Sequence, residues 1–195
     1  MGQLPTGTVT FLFTDIEGST RLWEADAAAM QEALARHDAI LRATVERHDG
    51  FVFATSGDGF AIAFARPDDA IAAASTAQIE LNRAKLPRVR MGVHTGEAHE
   101  RGGDYFGPTL NRSARLMAIG HGGQVLLSRA TARLVAADDL RDLGDYRLRD
   151  LSRPERVFQL VVEGLNNDFP PLRSLDVLPT NLPAQSSRFI GRVDD

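Results

Sequence analysis

Phe11-Leu12-Phe13-Thr14-Asp15-Ile16-Glu17-Gly18-Ser19-Thr20 is the stretch on which the reading of this chain turns. Val9 to Phe13 is a short apolar, β-rich run, read as a buried strand that ends at Thr14-Asp15. Glu17 to Thr20 is a turn and helix-start signal. A long helix over about Ala27 to His48 follows, with Met30, Leu34, Leu41 and Val45 on one face and Gly50 just past its end. Phe51 to Thr55 and Phe60 to Phe64 read as strands joined by the hairpin signal Ser56-Gly57-Asp58-Gly59. A second helix, about Asp68 to Asn82, and a strand from Val89 to Thr95 complete the order strand, helix, strand, strand, helix, strand. That order predicts an α+β fold with a ferredoxin-like βαββαβ core.

Beyond this core come a Gly-rich loop at Gly102-Gly103 and a helix from about Thr109 to Ile119. Extra elements follow: a strand at Val125 to Leu127, a helix near Ala130 to Ala136, and strands near Tyr146 to Leu148 and Val157 to Val161. Five of the nine prolines lie between Pro154 and Pro183, and periodicity stops after Val162. The expected organisation is one domain over 1–165 and a linker or tail over 166–195.

The 195 residues suffice for one sizeable core, and 43% hydrophobic with 25% charged residues is ordinary for a globular protein. A net charge of −4 argues against a direct nucleic-acid surface. The absence of Cys excludes disulfides and thiolate metal sites. No secretory signal or membrane-length apolar run is visible, so the expected location is cytoplasmic.

Two acids sit where chemistry is easily placed: Asp15 at a strand end and Asp58 at a hairpin tip. In a split βαβ fold these strands can be neighbours, and Mg²⁺ is bound by one or two carboxylates plus substrate phosphates. The amides from Glu17 to Thr20, at a helix start, suit an anion such as a triphosphate. Asn111 and Arg115, four apart, project from one helix face and could clamp a phosphoryl group as charge develops on it. Taken singly, each has a plainer reading: Asp15 a helix cap, Asp58 a turn residue, Asn111 and Arg115 a solvated helix face.

In combination the motifs resemble one family. Phe11 to Thr20 looks like the first metal motif of class III adenylyl and guanylyl cyclases, and Ser56-Gly57-Asp58-Gly59-Phe60 like their second. Arg90-Met91-Gly92-Val93-His94-Thr95-Gly96 is similar to their next strand. Asp104 through Phe106, Gly107, Asn111 and Arg115 to Leu116 resembles their dimer-arm and transition-state motif. The resemblance covers about Thr6 to Val162.

It implies an adenylyl cyclase that turns ATP into cyclic AMP and pyrophosphate. Asp15 and Asp58, with the Ile16 carbonyl, would hold two Mg²⁺ or Mn²⁺ ions per site. Gly18, Ser19, Thr20 and Arg149 would bind phosphate, Arg149 matching a usual Lys position. Asn111 would orient the ribose, and Arg115 would stabilise the transition state. It further implies a head-to-tail homodimer with shared sites, the Asp pair from one subunit and the Asn, Arg and base-reading residues from the other. Asp104 matches one base-reading position. Ala54 stands where the adenine-reading Lys is expected, and an Ala side chain cannot donate to adenine N1. Hence the alternative stays open: a catalytically degenerate, nucleotide-binding regulatory domain. A diguanylate cyclase, which shares the palm-like fold, would show a Gly-Gly-Asp/Glu-Glu-Phe hairpin and would not explain Asn111 and Arg115. Leu178-Pro179-Thr180-Asn181-Leu182-Pro183 with Ser187-Arg188-Phe189-Ile190-Gly191-Arg192 resembles the lead-in to the ATPase domain of large bacterial signalling regulators, which leaves two readings of the tail open: a linker to such a domain, or an unstructured tail.

Overall fold

The computed structural model describes residues 4–136, 139–151 and 153–174. In chain order the elements are β1 (Gly7–Ile16), α1 (Ser19–Ala25), α2 (Ala27–Arg47), β2 (Phe51–Ser56), β3 (Gly59–Phe64), α3 (Pro67–Arg83), β4 (Val89–Arg101), β5 (Asp104–Phe106), α4 (Pro108–Ile119), β6 (Val125–Ser128), α5 (Arg129–Ala132), β7 (Leu140–Tyr146) and β8 (Glu155–Leu160). They form an eight-stranded sheet in the order β2-β3-β1-β4-β6-β8-β7, with β5 paired to β4. The first four positions are the ferredoxin-like core, and the rest are the expected C-terminal additions.

β1 pairs antiparallel with both β3 and β4. Its period-two pattern divides its side chains between two environments. Leu12 and Ile16 join Met30, Leu41 and Val45 of α2, the alanines of α3, and Met91 and Val93 of β4 in the main core. Phe11 and Phe13 lie on the other face with Phe53 and Tyr105, and Asp15 shares their parity. There Phe11, Phe53 and Tyr105 meet edge to face at 5.0–5.7 Å between centroids.

Two glycines are required for different reasons, one by a close approach and one by its backbone conformation. A Cβ on Gly92 would stand 2.5 Å from the backbone N of Met117, so this residue is what lets α4 lie against β4. Gly57 opens the β2–β3 turn at φ 58°, a conformation glycine adopts without strain.

Several expectations are refined. The long helix expected from about Ala27 is α2, and a separate short helix, α1, precedes it; between them the Asp26 side chain accepts a hydrogen bond from the Ala29 amide and so caps α2. β4 runs on to Arg101, forming an antiparallel hairpin with β5. α5 is shorter than expected, ending at Ala132. β7 lies at Leu140–Tyr146, before the expected Tyr146 to Leu148: it is a polar edge strand whose alternation is broken by a register shift between Asp142 and Gly144. Residues 166–174, expected to begin a linker, run along the domain. Leu172 is buried beside Leu116 and Leu148, the Arg173 amide donates to the Ile119 carbonyl, and the Arg173 side chain pairs with Glu17. The ATPase lead-in motif lies outside the described residues. No helix among them is long and apolar enough to cross a membrane.

Candidate active site

The carboxylate half of the site is built by strand pairing. Asp15 stands at the end of β1 directly opposite Arg90 of β4. The Arg90 guanidinium donates to Asp15 Oδ2 from Nη2 at 2.6 Å and from Nε at 2.9 Å, and its Nη1 reaches the Ala118 carbonyl of α4 at 3.2 Å. Asp58 comes to the same strand end through the β2–β3 turn, its Oδ2 accepting the Ile16 amide at 2.9 Å. The two acids named from the sequence are thus brought to adjacent residues of β1, Asp15 itself and Ile16, which holds Asp58 from 42 positions further along the chain.

A cleft at Asp15, about 290 Å³, is lined by Phe13, Asp15, Ala54, Ser56, Ala61 and Met117, among others. Register places Phe13, Ala61 and Ala54 side by side on β1, β3 and β2. A shift in the β2–β3 ladder between Val52 and Ala54 accompanies Ala54's position in that row. Asp104 begins β5 and is exposed, its Oδ1 taking the Tyr105 amide at 2.7 Å. Contact between the Phe53 and Tyr105 rings draws the chain at Ala54 towards the chain at Asp104.

Asn111 and Arg115 lie elsewhere. Met117 faces the cleft from α4, and a residue two positions earlier is turned about 200° around a helix. Arg115 instead donates from Nη2 to Asp150 Oδ2 at 2.7 Å, on the turn that also carries Arg149. Asn111 is exposed. Within one subunit the structure sets Ala54 in the cleft at Asp15 and Asp58 against Ile16, but does not bring Asn111, Arg115 or Arg149 to them.

Residues 2–160 match the adenylate and guanylate cyclase catalytic domain model. The chain belongs to that family. It is 46% identical over 198 residues to the uncharacterized protein Rv0891c of Mycobacterium tuberculosis, covering 96% of this chain and 68% of that protein. The adenylate cyclase of Trypanosoma brucei solved in its monomeric state superposes with a TM-score of 0.78 at 31% identity, over 88% of this chain and 95% of that one. The adenylyl cyclase CyaB from Pseudomonas aeruginosa gives 0.69 at 25%, over 84% and 97%. The fold is that of the class III cyclase domain, and the chain is a cyclase catalytic domain related to adenylyl cyclases.

Cyclase domains of this class generally use divalent metals, and the donor set here fits a hard cation. Each carboxylate has its Oδ2 committed, to Arg90 or to the Ile16 amide, while neither Oδ1 has a partner among the described residues. Those residues contain no group of three or more His, Cys, Asp or Glu able to hold a metal. A pair of carboxylates alone suits an ion that completes its shell with water and substrate phosphate.

The Glu17 amide, counted from sequence among the free donors, is bonded to the Arg88 carbonyl at 2.9 Å. The remaining donors at the start of α1 are those of Gly18, Ser19 and Thr20. Glu17 itself is partly desolvated by burial, but the opposing Arg173 and the Gly122 amide win, and its carboxyl is held below the ordinary range. Sequence reasoning missed the roles of Arg90 and Asp150. Arg90 lay inside a quoted motif, yet only the β1–β4 register shows that it faces Asp15.

His94, read as a structural residue at a strand end, is buried, with Nδ1 2.7 Å from Ser128 Oγ. Burial, helped by the nearby Arg112 charge, depresses its pKa to about 4. A short chain of hydroxyls runs on from Ser128 through Thr131 and Thr95 to Thr10. This network ties β1, β4, β6 and α5 together behind the site.

Proposed function

We propose that this domain converts ATP to 3′,5′-cyclic AMP and pyrophosphate at sites shared by two copies of the chain in a head-to-tail homodimer. The observation that supports this reading is the opposed placement of the two groups: Asp15 at the cleft that Met117 lines, with Asp58 bonded to the next residue of β1, and Asn111 and Arg115 on α4 turned away from that cleft. Two-fold association can set the second group of one copy against the cleft of the other, giving two equivalent sites. Ala54 lines the same cleft as Asp15, and the two-fold would face two such clefts towards each other.

Asp15 and Asp58, with the Ile16 carbonyl, would hold two Mg²⁺ or Mn²⁺ ions, which when bound supply Lewis-acid activation of the ribose 3′-hydroxyl and neutralise triphosphate charge. The chain's own groups position the rest. The amides of Gly18, Ser19 and Thr20 take triphosphate oxygens, and Arg149 of the second copy adds charge on the far side. Asn111 orients the ribose so that the 3′-oxygen lies in line with the α-phosphorus. Arg115 meets the negative charge that grows on the phosphoryl oxygens in the transition state. The 3′-O–P bond forms as the bond to the β-phosphate oxygen breaks, and pyrophosphate leaves.

Base choice rests on Asp104, whose carboxylate accepts from the adenine amino group and offers nothing to a guanine carbonyl. Ala54 supplies no donor to adenine N1, which costs about 1.5–3 kcal/mol of recognition. Ala54 is also the observation that favours the second reading, a regulatory domain that binds nucleotide without turnover. The decisive assay gives purified protein ATP and GTP in parallel with Mg²⁺ and with Mn²⁺. Cyclic AMP in excess over cyclic GMP is expected. Nucleotide binding with neither product, whichever metal is present, would establish the regulatory reading instead.

A further inference from the structure

Asp150 adopts φ 62°, in the left-handed region that non-glycine residues rarely occupy. It sits in a turn closed by the Leu151 amide on the Leu148 carbonyl at 3.2 Å. That turn is pinned to α4: Leu148 is buried against Leu116, and Leu151 packs on the same cluster. Leu116 adjoins Arg115, so the packing that fixes the turn also fixes the distance from Arg115 to Asp150. The outcome is Arg115 Nη2 at 2.7 Å from Asp150 Oδ2, with Arg149 Nε at 3.8 Å from the same oxygen. One carboxylate stands between two guanidinium groups, held by a backbone conformation unfavourable to its residue type.

A phosphate-binding surface gains nothing from such an anion. From these contacts we infer that Asp150 is a positioning residue that holds Arg115 back, a built-in counter-ion that competes with the nucleotide's phosphates for the two arginines and lowers the rate of the domain. The inference rests on the functional reading above, in which Arg115 serves the transition state and Arg149 the bound triphosphate. In the free domain Arg115 is directly paired, whereas Arg149 is the more distant and more exposed partner. Removing the carboxylate should therefore raise kcat more than it lowers KM.

The test is Asp150→Asn, which keeps the shape and tolerates the left-handed backbone, with Asp150→Gly as a second variant that removes the side chain and the strain together. Both should raise kcat with ATP by about two- to fivefold, the range expected of one exposed ion pair. The gap from the unsubstituted protein should close as salt is raised from about 0.05 to about 0.5 M, because exposed charges are screened. A purely structural role for Asp150 would leave kcat unchanged or lower it, or give a gap indifferent to salt, and any of these overturns the inference. If the unsubstituted protein forms no cyclic nucleotide, the functional reading fails separately. Calorimetric titration with inorganic triphosphate and Mg²⁺ then decides: tighter binding by Asp150→Asn sustains the counter-ion, and equal affinity removes it.

Discussion

Asp58 is held by a backbone amide at the end of the sheet, and Arg115 by one exposed carboxylate on a turn. The first arrangement is rigid because it shares the hydrogen-bond ladder of β1, β3 and β4. The second depends on long side chains, with Arg115 41% and Asp150 66% exposed. The difference follows what each half must do. A pair of carboxylates collects charge only if its spacing is set in advance. In the proposed dimer, a helix-borne cation that serves the other subunit would have to stay accessible until that subunit arrives.

The largest expected effect breaks the sheet-held half. Asp15→Ala or Asp58→Ala should cut cyclic nucleotide formation by about a hundredfold or more while circular dichroism stays native, because no neighbour replaces the lost oxygen ligand. Mixed with Arg115→Ala protein under proven subunit exchange, Asp58→Ala should recover about a quarter of normal activity, one intact site in half of the dimers. No recovery would mean that the two halves do not meet across an interface.

A second test probes what stiffens the sheet behind that half. His94 is neutral when folded, with its pKa depressed from 6.5 to about 4. The unfolded chain therefore binds a proton at a pH where the folded chain does not, and falling pH favours unfolding. Stability should be fully present above about pH 6.5 and drop by up to about 3 kcal/mol on going down to about pH 4. Denaturant titrations across that range should show the drop, and His94→Gln should flatten it.

The smallest effect sharpens the recognition side. Ala54→Lys restores a donor near Asp104 and should raise kcat/KM for ATP by about tenfold, along with the ATP/GTP ratio. A folded variant with tighter ATP binding and no turnover would favour a regulatory domain, and one with unchanged binding a pocket remodelled around Ala54.

Sequence pattern was strong where apolar runs, turn residues or helical spacing mark an element. The apolar run of β1, the glycine-bracketed hairpin at Asp58 and the four-residue step from Asn111 to Arg115 could all be read directly. What escaped were pairings that depend on register between distant strands, as with Arg90 opposite Asp15. So did a polar edge strand, β7, whose alternation is interrupted near Gly144. Asp150 escaped for a different reason: nothing in Leu148-Arg149-Asp150 signals a positive φ or the reach of a carboxylate back to α4.

The position of β1 has a consequence for biosynthesis. This strand is made first, yet it lies inside the sheet between β3 and β4, and Arg90, the partner of Asp15, comes 75 residues later. At ordinary ribosomal speeds that is about 4 to 15 s of waiting for a β-rich, apolar segment with both edges open. The β2–β3 hairpin can close alone in about 1–10 μs, but closing the sheet around β1 requires the whole of α3 and β4. Asp15 therefore gains its partner only once β4 has been made and docked, and a nascent or nicked chain lacking β4 carries Asp15 without the Arg90 that holds it.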